Sequence, residues 1–230
     1  MQSLADLALV PVYAAQALAF LVRIERLPEA QGLRRGYTGQ GAPMRLLILG
    51  DSSAAGVGVA HQGDALSGQM LRHLTGQRRV LWQLVARSGA TTAQARAMLR
   101  GHGRFDVAVL ALGVNDVLRQ TRVARFRRAQ SGLIDELRAR HGVQHILASA
   151  VPPLGEFEVF PDPLRSFLGQ RAVALDASLQ EICAEQGAQH VPFDLAPGPE
   201  WLARDGLHPG AALYAEWGKR MAGLALRSLS

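Results

Sequence analysis

Four short stretches carry residue types that could do chemistry together: Gly50-Asp51-Ser52, Gly89, Gly113-Val114-Asn115-Asp116 and Asp205-Gly206-Leu207-His208. They offer a hydroxyl nucleophile, donors for a developing oxyanion, an acid that can orient an imidazole, and the imidazole itself. That inventory suffices for attack of a serine on an ester carbonyl. A serine hydroxyl is a poor nucleophile until a base takes its proton. Of the seven histidines, His208 stands apart because Asp205 lies three residues before it. In a turn, that spacing lets the carboxylate reach Nδ1–H and leaves Nε2 free. Each residue also has a plainer use: Ser52 as a turn or N-cap serine, Gly89 as a turn residue, Asn115 as a helix cap, Asp205–His208 as a surface turn ending at Pro209. Ser53 is the rival nucleophile one register away. Asp51 reads as a carboxylate taking main-chain donors in its turn, and Asp116 as a capping or supporting residue.

The elements that must position these residues follow from periodicity. Apolar runs at 44–49, 79–86, 105–112 and 143–151 read as buried strands, and 189–194 as a short fifth, with Pro192 suggesting an edge or early end. Helical spacing appears over 64–75, from Thr91 or Thr92 to Leu99, over 121–140 and 165–186, and again from Pro209 or Gly210 onward. Strands alternating with helices imply an α/β fold, a parallel sheet covered on both faces. Ligands of such sheets bind beyond the carboxyl ends of the strands. The first three stretches fall there.

The chain has 230 residues, 48% of them hydrophobic, enough for one domain with a sizeable core. The lone cysteine, Cys183, excludes an intramolecular disulfide and reads as a buried inert thiol. No Cys/His cluster has metal-ligand spacing. The net charge is +6, with Lys219 the only lysine and the arginines scattered. Their densest group is Arg119, Arg122, Arg125, Arg127 and Arg128, read as a solvated face, with a rim for an acidic substrate as the sharper alternative. No nucleic-acid motif with interleaved aromatics appears. Residues 7–22 hold one polar residue, Gln16. The stretch falls short of the roughly 20 residues of a spanning helix, Pro11 interrupts it, and no basic residue precedes it. It can pack on the domain, on a second copy or at a membrane surface; anchor the chain; or be a cleaved signal. Residues 27–43 are rich in Gly and Pro and read as a linker. The expected division is an apolar segment and linker over 1–43 and a catalytic domain over 44–230. The expected location is cytoplasmic, with membrane association, envelope or secretion left open.

With these blocks in order on a βα pattern, the chain resembles the SGNH subgroup of the GDSL hydrolases, from about Arg45 to His208. LLILGDSSAAGVG is similar to the nucleophile block, Gly89 in ARSGATT to the second-block glycine, ALGVNDVL to the third block, and DGLHP to the last. The resemblance implies a three-layer α/β/α, flavodoxin-like fold around a five-stranded parallel sheet. It also implies Ser52 as nucleophile, Asp205 and His208 as its partners, and Ser52, Gly89 and Asn115 as the oxyanion hole. It implies an ester substrate of small size and no metal or organic cofactor. Esterase, lipase, thioesterase, lysophospholipase and carbohydrate O-deacetylase activities all fit it. The loop aromatics Phe157 and Phe160 point toward lipid-like or aryl esters or serve as a core plug, and Trp201 is the candidate cleft aromatic. A metal-dependent phosphoesterase would want an Asp-x-His on the first strand, which MRLLILGD lacks. A non-catalytic binding protein would be expected to lack one of the motif residues, and none is missing.

Overall fold

The computed structural model describes residues 4–193 and 198–229. In chain order the elements are α1 (Leu4–Arg23), β1 (Arg35–Thr38), β2 (Ala42–Gly50), α2 (Leu66–Leu74), β3 (Arg78–Ala86), α3 (Thr92–Met98) and β4 (Val107–Ala111). There follow α4 (Val114–Leu118), α5 (Val123–Ala139), β5 (His145–Ser149), α6 (Leu164–Glu185), β6 (Gln189–Val191) and α7 (Ala211–Ser228). The strands form one sheet in the order β1-β3-β2-β4-β5-β6. From β3 to β6 every pairing is parallel. That order is the flavodoxin-like one, with its topological switch point between β2 and β4.

The expected five parallel strands are present, with one addition. Residues 35–38, read from sequence as linker, form β1, an antiparallel edge strand on β3. Its four residues, Arg-Gly-Tyr-Thr, carry no apolar run, so its pairing partner rather than its own pattern makes it a strand. The fifth parallel strand stops at Val191, just before Pro192, and the expected end at Asp194 lies outside the described residues. The helix expected over 121–140 begins at Val123, and the separate short α4 precedes it.

Alternation along the strands builds two cores. Leu46, Ile48, Val80, Trp82, Val107 and Val109 face α2 and α7. Leu47, Leu49, Ala108, Leu110, Ile146 and Ala148 face α3, α5 and α6. Phe157 and Phe160 are buried in this second core, so the loop they sit on is a plug rather than an exposed aromatic rim. Cys183 is buried there too, and burial pushes its thiol up to about 11.

One contact joins the α7 layer to the turn after β2. The Tyr214 hydroxyl lies 2.8 Å from both Ser53 O and Val57 O. Burial, with the charges of Asp51 and Asp205 nearby, raises its pKa well above the ordinary phenol value, so it remains a donor. Tyr214→Phe strands these carbonyls without that donor. It should lower unfolding stability by about 1–3 kcal/mol, read as a shift in the urea midpoint with an unchanged slope.

Candidate active site

The strand register explains how distant residues meet. Gly50 pairs with Ala86 of β3 and with Ala111 of β4, so all three strands end at one level. Ser52, Gly89 and Asn115 sit a few residues beyond that level, each in the first turn that leaves the sheet. The turn holding Asp205 and His208 comes immediately before α7.

His208 stands between two partners. Its Nε2 is 2.9 Å from Ser52 Oγ, and its Nδ1 is 2.6 Å from Asp205 Oδ2. Asp205 Oδ1 accepts the main-chain N–H groups of Leu207 and His208, each at 3.0 Å. Burial disfavours the Asp205 charge. The hydrogen bonds from the His208 side chain and from the His208 and Leu207 main chain outweigh it and hold the carboxyl below its ordinary value. An ionised Asp205 fixes Nδ1 as the donor, which leaves Nε2 to accept the Ser52 proton.

The donors are positioned as carefully. Among the described residues, neither the Ser52 N–H nor the Gly89 N–H has a protein acceptor. Asn115 Nδ2 spends one hydrogen on Asp51 Oδ2 at 3.2 Å, which leaves its second. Gly89 has φ +77, a left-handed conformation that favours glycine. Gly113 has φ +126, and a Cβ there would come within 2.7 Å of Val151 Cγ2. Asp116 is buried and accepts from Thr92 N at 2.9 Å and Thr92 Oγ1 at 2.8 Å, which ties α4 to the start of α3. Thr91 is the α3 N-cap, completed by Gln94 as a capping box.

The sequence did not reveal what holds the Gly89 turn. Glu29, inside the supposed linker, accepts Ser88 N–H at 2.8 Å and Ser88 Oγ–H at 2.7 Å, and pairs with Arg34. Burial works against the Glu29 charge, but these bonds win and lower its carboxyl. Arg34 in turn donates to Ala86 O at 3.0 Å. The same strap joins the Ser52 loop, since Ala30 N–H donates to Ala55 O and Gln62 Nε2 donates to both Ala30 O and Ala55 O. From the other side Arg119 Nη2 donates to Gly89 O at 3.1 Å. Of the arginine group, Arg119 therefore touches the site, whereas Arg127 pairs with Glu181 and Glu185 on the far helix α6.

His61 is exposed and its main chain pairs with Gln31. Trp201 sits half-buried in a 3-10 turn, its carbonyl accepting Gly210 N–H. A cavity of about 150 Å³ is walled by Trp217, not Trp201, with Asp51, Ser53, Leu112, Pro152 and Phe193; it is not lined by Ser52, Gly89, Asn115 or His208. Among the described residues no three His, Cys, Asp or Glu side chains converge to hold a metal ion.

The GDSL-like lipase/acylhydrolase family matches residues 48–216, well over half of the chain. This chain belongs to that family. It is thus a hydrolase of ester bonds. No curated protein matches it. Among solved structures, a lipase/acylhydrolase from Enterococcus faecalis is 23% identical with a TM-score of 0.62, over 79% of this chain and 94% of that one. The psychrotrophic esterase EstA from Pseudoalteromonas sp. is 19% identical with a TM-score of 0.63, over 80% and 98%. Axe2, an acetyl xylan esterase from Geobacillus stearothermophilus, is 20% identical with a TM-score of 0.57, over 80% and 96%. At these identities the likeness shows the shared fold.

Two measurements probe the site. Burial pushes Asp51 up to about 6, against the lowering pull of the Ser53 N–H, His208 and Asn115. The folded chain then holds a proton on Asp51 that the unfolded chain has released between about pH 4 and 6, so this group's contribution to stability falls as pH rises through that window. Relative to Asp51→Asn, the wild type should lose about 2 kcal/mol from pH 4 to 7, read from urea midpoints; a constant difference would exclude the shift. Arg119→Ala should lower kcat for ester hydrolysis about tenfold, less than the loss of an oxyanion donor itself, at unchanged melting temperature.

Proposed function

We propose that the protein is a serine-dependent carboxylic-ester hydrolase that works through an acyl-enzyme on short- to medium-chain acyl, aryl or lipid-like esters. The observation that carries the reading is the unbroken relay from Asp205 through His208 to Ser52 Oγ, at 2.6 and 2.9 Å, beside two unspent main-chain donors. Ser52 Oγ attacks the ester carbonyl as its proton passes to His208 Nε2. The carbonyl oxygen becomes an oxyanion received by the Ser52 N–H, the Gly89 N–H and the free Asn115 amide hydrogen. Asp205 stabilises the imidazolium. The tetrahedral adduct collapses, the C–O bond to the alcohol breaks, and His208 returns the proton to the leaving oxygen. Water then loses a proton to His208, attacks the acyl-enzyme, and releases the carboxylic acid with Ser52 restored.

O-deacetylation of a carbohydrate would use the same relay on an acetyl ester, as the name of the acetyl xylan esterase neighbour suggests.

Hydrolysis of a p-nitrophenyl ester series from acetate to palmitate tests the reading. The expected profile peaks at short to medium chains, with chelator present. Ser52→Ala should fold normally and lose at least about a thousandfold in kcat. Turnover close to wild type in that variant would refute the nucleophile assignment, and a preference for palmitate would refute the short- to medium-chain reading.

A further inference from the structure

Helix α1 has two apolar faces, and the fold covers one. Tyr13 stacks on Phe167 with centroids 4.6 Å apart, and Phe20 packs on Phe160 at 4.7 Å. The Gln16 amide donates to Asp162 O at 2.7 Å and accepts Leu164 N–H at 3.0 Å. Gln16 is the only polar side chain within residues 7–22, and it turns inward. The outer face therefore carries no hydrogen-bonding side chain. There Leu18, Leu21 and Val22 are 64%, 60% and 78% exposed, flanked by Val10 and Val12. These five are half of the ten large apolar side chains exposed among the described residues, so the exposure is concentrated rather than scattered.

Charge and area identify the occupant. Arg23 ends the helix and Arg26 follows, while Glu25 between them is taken up by Arg204 at 2.7 Å. The apolar face is thus bordered by positive charge. From Val10 to Val22 a helix runs about 18 Å, so a face about 10 Å wide covers about 200 Å². A stable protein interface buries about 800 Å² on each partner. This patch is too small for a second copy to hold by itself, and a face without polar groups offers a protein nothing to align on. Lipid chains need no alignment. Among the described residues, no helix is long and apolar enough to cross a membrane, so the contact would be one made from the side.

We infer that the outer face of α1 docks on an anionic lipid surface, with Leu18, Leu21 and Val22 among the acyl chains and Arg23 and Arg26 at the headgroups. The docked face adjoins the active site. A cleft lined by Gln16, Phe20, Arg23, Glu158 and Arg204 reaches Asp205 of the relay. On the other flank an apolar groove of about 260 Å³ runs from α1 to Leu118, on the helix that carries Asn115. Docking sets both openings near the lipid surface, where esters dissolved in the bilayer are at hand.

Co-sedimentation of the full chain with vesicles tests this. Wild type should pellet with phosphatidylglycerol-containing vesicles at low salt, and less with pure phosphatidylcholine or at high salt. Leu18→Gln with Val22→Gln should lower the partition coefficient at least about tenfold, with an unchanged melting curve. Arg23→Gln and Arg26→Gln should each lower it about fivefold, the equivalent of about 1 kcal/mol per basic residue. Ser52→Ala should bind as wild type does, so a failure of the ester reading would appear in hydrolysis alone. Wild type remaining in the supernatant with both vesicle types overturns the inference. So does equal partition of wild type and the Leu18/Val22 variant. Sedimentation velocity showing a wild-type dimer that this variant dissolves, without vesicle binding, assigns the face to a second copy instead. Should the Leu18/Val22 variant fail to fold, the arginine variants decide, and partition equal to wild type overturns the inference.

Discussion

The site depends on the absence of a side chain at position 50. A Cβ there would lie 2.5 Å from Ala111 O and 2.5 Å from Ala54 Cβ. Without it, β2 ends flush against β4 and the chain folds back over its own strand end, with Asp51 N–H donating to Ala111 O at 3.1 Å. The register then does the rest. With Gly50 opposite Ala86 and Ala111, three separate βα turns leave the sheet side by side at the switch point, and the residues they carry cannot avoid one another. Alanine at position 50 would disturb more than a turn; it would push β2 away from β4 at the place where the candidate nucleophile and the Asn115 helix must stay adjacent.

Two buried aspartates beside this point show how burial and donor count together set the charge. Asp51 and Asp205 are 2% and 6% exposed. Asp205 receives three hydrogen bonds, two from main-chain N–H groups and one from an imidazole, and its carboxyl is lowered. Asp51 receives one main-chain N–H and one neutral amide, and burial raises it to about 6. The difference suits their places. An orienting acid must stay ionised while its imidazole gains a proton, whereas Asp51 has only to hold Asn115 in position, which either protonation state permits through at least one oxygen.

What the sequence made legible was local. Apolar runs that stop at glycine marked the strand ends, and the Asp205–His208 spacing marked the turn before α7, because each depends on neighbours within a few residues. What it concealed was long-range. β1 has no pattern of its own and exists through pairing with β3. Glu29 sits in a Gly/Pro-rich stretch that looks like a tether, yet it binds Ser88 across the sheet end. Tyr214 lies far along the chain from the turn after β2, and only the folded chain puts its hydroxyl over Ser53 and Val57. Phe157 and Phe160 were legible as loop aromatics that could be rim or core plug, and only the fold decides for the plug, since burial of a loop depends on what packs over it; here that includes Phe20 of α1.

The strap and Arg119 make physical sense once the unspent donors are considered. A main-chain N–H without an acceptor weakens a fold by about 1–3 kcal/mol when fully buried, and a chain free to move would turn such a group toward the nearest carbonyl. The Gly89 peptide is held against that relaxation from opposite sides: Glu29 grips Ser88 before it, and Arg119 grips its own carbonyl. The residue itself is half-buried. Neighbours fixed in this way would keep this candidate donor in place, as stabilising an oxyanion without reorganisation requires.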